Sequence, residues 1–87
     1  MSDAEPPRIE FPCDWSLRII GERVDDFEAQ VRDVLERHCD DLRDVRERLS
    51  REGRYVSLSC VITATGEQQL RALHDDLLAT GIVRLVL

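Results

Sequence analysis

With 87 residues, 43% of them hydrophobic and 34% charged, the chain is expected to fold as one small domain with a thin core, its composition in the globular rather than the disordered range. Eighteen acidic residues outnumber twelve basic ones, all arginine, for a net charge of −6, which disfavours nucleic acid or an anionic membrane as partner. No apolar run approaches the roughly 20 residues that cross a bilayer as a helix.

Residues 1–10 carry acids, a serine and a Pro-Pro pair with little to bury, and read as a flexible tail. They lack the basic start and apolar stretch of a signal peptide, so a cytoplasmic location is expected by default. Phe11-Pro12 opens the ordered part, 11–87. Residues 14–20 alternate, with Trp15, Leu17 and Ile19 on one side and Ser16, Arg18 and Ile20 on the other, which predicts a strand ended by Gly21. Asp25, with Glu28 three residues on, has the form of a capping box. Phe27, Val31, Val34, Leu35 and His38 then recur at helical spacing, and the helix should end near His38.

Residues 40–53 satisfy two patterns. Leu42, Val45 and Leu49 fit a helical stripe closed by Gly53, whereas Val45, Glu47 and Leu49 alternate as in a strand, with Ser50-Arg51-Glu52-Gly53 as a hairpin turn. Local propensity favours the helix; the pattern of the whole chain favours the strand, which is the reading adopted. Residues 55–64 alternate without interruption, Val56, Leu58, Cys60, Ile62 and Ala64 against Tyr55, Ser57, Ser59, Val61 and Thr63. Thr65 and Gln68 suggest a second capping box. Leu70, Leu73, His74, Leu77 and Leu78 form the next helical stripe, Gly81 closes it, and residues 82–87 make a last strand.

The order β-α-β-β-α-β, with right-handed crossovers, predicts an α+β ferredoxin-like sandwich: a four-stranded antiparallel sheet, order 4-1-3-2, with two helices on one face. Trp15, Leu17, Val56, Leu58, Ile62, Val83 and Leu85 should meet the helices. If 40–52 were helical instead, the sheet would have three strands.

Few residues point to chemistry. His38-Cys39 lacks two further ligands at metal-binding spacing, and a histidine at a helix end is explained by the dipole there. Cys60 belongs to the buried side of its strand, where a cysteine acts as a small hydrophobe; Cys13 should be the most accessible thiol. Three well-separated cysteines offer no redox pair. His74 reads as a core-rim residue. Asp25-Asp26 and Asp75-Asp76 are adjacent on helices and so diverge rather than share a proton. No catalytic residue, metal or cofactor is expected.

Two surfaces stand out. Gly21, Glu22 and Arg23 link the first strand to the first helix, where backbone N–H groups suit an anion, and this loop is the candidate ligand site. In acylphosphatases of the same topology an arginine here works with an asparagine; this chain has none, so that activity is excluded. The sheet face left bare by the helices should expose Ile20, Tyr55, Val61, Ile82 and Val86 beside Ser16, Arg18, Ser57, Ser59 and Arg84, a candidate interface for a protein partner or a second copy. An RNA-binding sheet wants two or three stacking aromatics there, and only Tyr55 is available. The arginines at 43, 46, 48, 51 and 54 are interleaved with Asp40, Asp41, Asp44, Glu47 and Glu52 and are expected to cancel locally.

Taken in order, the Phe11-Pro12 opening, the strand ending at Gly21, Arg37-His38, Gly53-x-Tyr55-x-Ser57, Ala64-Thr65 and the terminal Ile82–Leu87 resemble the YbeD-like family of small bacterial proteins. That family usually carries prolines and lysines around the second strand, where this chain has 41–49 rich in Asp and Arg. The resemblance implies an ACT-like fold and a non-enzymatic regulatory role. ACT domains sense amino acids or other small molecules, generally as dimers, and Gly21 stands where such a domain keeps a ligand-contacting glycine. Neighbouring lipoate-attachment genes, common in the family, imply a supporting role in lipoate metabolism. The alternative is an adaptor that binds an enzyme through its open sheet face or an edge strand.

Overall fold

The two alternating segments at 14–20 and 55–64 become the central strands, and everything else is arranged around them. A computed structural model describes residues 10–87; the tail expected at 1–10 lies, Glu10 apart, outside the described residues. The elements are β1 (Cys13–Glu22), α1 (Phe27–His38), β2 (Arg43–Leu49), β3 (Tyr55–Ala64), α2 (Glu67–Ala79) and β4 (Val83–Val86). They form one antiparallel sheet of order β2-β3-β1-β4 with both helices on one face, the ferredoxin-like arrangement expected.

β1 and β3 pair along their full length, from Cys13 opposite Ala64 to Glu22 opposite Tyr55. Pairing in this register puts Leu17, Ile19, Val56, Leu58, Cys60 and Ile62 on one face, where they are buried against Phe27, Val31, Val34 and Leu35 of α1 and Leu73 and Leu77 of α2. Period-2 and period-3.6 stripes meet here in a single core. His74 and Leu78 fall outside it and are exposed, so the α2 stripe is narrower than the spacing suggested.

The ambiguous stretch at 40–53 is a strand. β2 pairs with β3 from Arg46 opposite Ser59 to Leu49 opposite Val56, and cross-strand pairing outweighs the local preference for helix. Ser50 N–H donates to Tyr55 O at 2.8 Å and Gly53 N–H to Ser50 O at 3.0 Å, with Gly53 at φ 74, a left-handed turn position. A bulge between Arg43 and Arg46, with Asp44 at φ 54, lets Val45 still pack on the core.

A second bulge overturns part of the expected face assignment. Ile19 pairs with Val86 and Ile20 with Leu85, but Gly21 pairs with Val83, so Arg84 is one residue too many in β4. The extra residue shifts the alternation by one. Val83 and Val86 therefore both face the helices, and Ile82 also packs on the core, whereas Leu85 sits on the open face at 47% exposure. Ile82 and Val86 leave the expected interface, and Leu85 leaves the expected core.

Gly21 does not end β1, which continues through Glu22. A Cβ at Gly21 would stand 2.2 Å from Ile82 O and 2.5 Å from the Phe27 ring. The glycine is there to let β4 and α1 approach.

Neither helix starts with the capping box expected. Asp26, not Asp25, is the N-cap of α1, without a side-chain hydrogen bond, because the chain turns through Val24 O to Phe27 N–H instead. Gly66 precedes α2, and it is Gln69 rather than Gln68 that reaches back. Gln69 Oε1 accepts from Thr65 N–H at 2.7 Å while its amide donates to His38 O at 2.8 Å, capping α2 and tying it to the end of α1. Gln69→Ala is expected to cost about 1–2 kcal/mol, since two backbone groups lose their partner at once. Urea unfolding with an unchanged slope would measure it; Gln69→Glu, which keeps the acceptor and loses the donor, should fall between.

Candidate functional site

The segment carrying Gly21, Glu22 and Arg23, the end of β1 and the first residue after it, is the first candidate. Gly21 is buried under Phe27 and Ile82. Glu22 N–H donates to Ile82 O at 2.9 Å, and its carboxylate pairs with Arg84. Arg23 N–H donates to Arg54 O at 3.3 Å, so the segment is laced to the β2–β3 hairpin. With these N–H groups occupied internally, and Asp25, Asp26 and Glu28 at the start of α1, the segment is not an open anion cradle. Arg23 remains exposed and borders a groove of about 240 Å³ shared with Val24, Asp25, Glu47, Leu49 and Val56.

A polar cluster that the sequence did not announce lies at the opposite end of β3. His38 Nε2–H donates to Asp76 Oδ2 across 2.7 Å, joining the end of α1 to α2. Asp41 accepts from Thr63 N–H at 3.1 Å and from the Thr63 hydroxyl, and these two bonds hold its carboxyl below the usual carboxylate range. His38, Asp41 and Thr63, with Asp40, Thr65 and Gln69, border a cavity of about 390 Å³. Such a His–Asp pair can orient a general base. Yet the neighbouring hydroxyl and amide are spent on bonds within the cluster, and no activated nucleophile stands beside the histidine. Cys39 is buried and its thiol is pushed up, first by burial and then by the charges of Asp41 and Asp40. Cys60 is buried as expected and is pushed up to about 11 by burial, so neither is a nucleophile at neutral pH. Among the described residues no group of three metal-ligating side chains occurs.

The open sheet face differs from both. Across its width the register aligns Arg48, Ser57, Ile20 and Leu85 in one row, and Arg46, Ser59, Arg18 and Leu87 in the next. Leu87 extends the β4 ladder through a reciprocal pair of hydrogen bonds with Arg18, at 3.2 and 2.8 Å. Arg18, Arg46 and Arg48 form no ion pair among the described residues, whereas Arg43 pairs with Asp14 and Arg84 with Glu22. The expected local cancellation therefore does not hold on this face. In β2 the pleat sends Arg46 and Arg48 to the open side and Glu47, opposite Leu58, to the other. Charges that alternate in sequence are sorted in space.

The apolar part of the same face comprises Ile20 and Val61, half-buried, with Tyr55, Leu85 and Leu87 at 48%, 47% and 61% exposure. A shallow groove of about 610 Å³ is lined by Arg18, Arg46, Ser59, Val61 and Leu87, and by Asp44. A second one of about 210 Å³ adjoins it at Arg18, between Arg48 and Tyr55. Ile20, Tyr55 and Val61 thus stand where the alternation put them, joined by Leu85 and Leu87.

Comparison with known proteins agrees with the fold. A UPF0250 protein of Azotobacter vinelandii is 45% identical over 89 residues, covering 99% of this chain and 97% of that protein. A UPF0250 protein of Pseudomonas aeruginosa is 44% identical, covering 98% and 95%. Among solved structures, protein HP0495 from H. pylori superimposes with a TM-score of 0.74 at 20% identity, over 100% of this chain and 93% of that one. The ACT domain from the GTP pyrophosphokinase of Chlorobium tepidum superimposes with 0.72 at 21% identity, over 87% and 96%. At these identities the structural likeness speaks for an ACT-like, ferredoxin-like fold. A family model described as "Protein of unknown function (DUF493)" matches residues 6–87, and with relatives this similar over nearly their whole length, the chain belongs to the DUF493 (UPF0250) family, which the YbeD-like resemblance fits.

Proposed function

We propose that this chain is a non-enzymatic regulatory module that acts by binding, with the open sheet face as its working surface. The observation that carries the reading is the pairing on that face of arginines lacking described counter-ions with a strip of exposed apolar side chains. Isolated exposed apolar residues are ordinary on a small domain; a contiguous strip beside charge is the mark of a contact surface. The other two candidate regions spend their polar groups internally, which supports a scaffold role for them. The ACT-like fold supports regulation rather than catalysis.

Ile20→Glu combined with Leu85→Glu tests it. Both side chains point away from the helices, so the circular dichroism spectrum and cooperative unfolding should persist. Proteins captured specifically by the wild-type chain from its native cell extract should be lost by the double variant. Capture that is indifferent to these two changes would sink the reading.

A small-ligand version has its own support in the groove beside Arg23, which offers one cation next to Val24, Leu49 and Val56. Thermal denaturation with amino acids and carboxylic metabolites tests it: a ligand at 100 times its Kd should stabilise by about 2.7 kcal/mol, a shift of several degrees. An Arg23→Ala variant should lose that shift.

A further inference from the structure

Resting on the open-face reading, we infer that the partner presents an acidic, amphipathic protein segment, its carboxylates over Arg18, Arg46 and Arg48 and its apolar side over Leu85, Leu87 and Ile20. The face is graded across its four strands. β2 contributes Arg46 and Arg48, β3 contributes Ser57 and Ser59, β1 contributes Arg18 beside Ile20, and the β4 side contributes Leu85 and Leu87. At about 4.8 Å between strands, cation and leucine edges lie roughly 14 Å apart, the width of one helix or a pair of strands. A segment with acids along one side and leucine-like residues along the other matches both edges at once. Arginine forks suit carboxylates, and the serine hydroxyls between them can serve a carbonyl or a second carboxylate oxygen.

The net charge of −6 does not oppose this. Much of the acidic excess sits in and around the helices, as in Asp25, Asp26, Asp33, Glu36, Glu67 and Asp75. That layer lies about 10 Å behind the sheet, and its solvent-exposed charges are weakened at the open face by salt, whose screening length is roughly 8 Å at physiological ionic strength. A short acidic segment on the open face meets the arginines and is screened from the helices. A nucleic acid would find one aromatic side chain, Tyr55, for its bases and a polyanionic backbone with no use for Leu85 and Leu87.

The experiment measures fluorescence anisotropy of a fluorescein-labelled peptide of alternating glutamate and leucine against the whole chain. A lysine–leucine peptide of the same length and a mixed-sequence single-stranded RNA are the comparisons. The Glu–Leu peptide should bind at least tenfold more tightly than either. Arg18→Gln, Arg46→Gln and Arg48→Gln should each weaken it about two- to fivefold, the range expected for one exposed charge-assisted contact. Leu85→Ser should weaken it too, while Arg37→Gln, on the helix layer, should not. Equal binding of the two peptides, preference for RNA, or insensitivity to the three arginine changes would overturn the inference. If the acidic peptide fails while capture still depends on Ile20 and Leu85, the open-face reading stands and only the acidic partner falls. If capture ignores those residues as well, both fall.

Discussion

Replacing Gly21 by alanine is expected to destabilise the protein by about 3 kcal/mol, the upper range for forcing an atom into a filled core. In a domain this small that lowers the unfolding midpoint by roughly 15 °C. The added Cβ would meet Ile82 O at 2.2 Å and the Phe27 ring at 2.5 Å. A side chain can move aside, but this carbonyl accepts from Glu22 N–H and cannot retreat without opening the β1–β4 edge. The Gly21→Ala, Phe27→Leu double variant should therefore recover less than half of the loss. Gly66→Ala is the control, because a Cβ there meets nothing within 4 Å and should change stability by less than about 1 kcal/mol. A Gly21→Ala protein that melts within a few degrees of wild type would contradict the close approach.

Stability should also fall steeply in alkali. Burial raises the Cys60 thiol from 9.0 to about 11, so the unfolded chain releases this proton first and rising pH favours it. The contribution of Cys60 is complete below pH 9 and is lost progressively toward pH 11. A difference of this size amounts to roughly 3 kcal/mol. Cys39, shifted in the same direction by burial and by Asp41 and Asp40, adds to the slope. Denaturant unfolding at pH 8 and pH 10.5 measures the effect. Cys60→Ala should be slightly less stable at pH 8 but flatter with pH; an equal slope in that variant would refute the assignment. In the native protein a thiol reagent should modify Cys13 first, with Cys39 and Cys60 following only on unfolding.

How legible the molecule was depended on the kind of information involved. Uninterrupted alternation from Tyr55 to Ala64 could satisfy only a strand with one buried side, and the spacing of Leu73 and Leu77 only a helix lying on it. At 40–53 two local patterns competed, and the choice needed the whole chain: a strand there completes a sheet with β3, whereas a helix would leave that edge bare. The surroundings of Gly21 were not visible, because whether it faces a ligand or a neighbouring carbonyl depends on the chain around Ile82, sixty residues away. The His38–Asp76 contact was equally hidden, spanning 38 positions with no spacing rule to connect them.

The elements other than β2, the β1–β3 core and the burial of Cys60 were thus written in local periodicity, since the 2.0 and 3.6 repeats follow from backbone geometry alone. Tertiary structure decided the phase. One surplus residue at Arg84 sends Leu85 outward and Val86 inward, and the pleat of β2 parts Arg46 and Arg48 from Glu47. A bulge costs little locally and is settled by how the neighbouring strand must pair, so the make-up of the open face could be known only once the sheet was assembled.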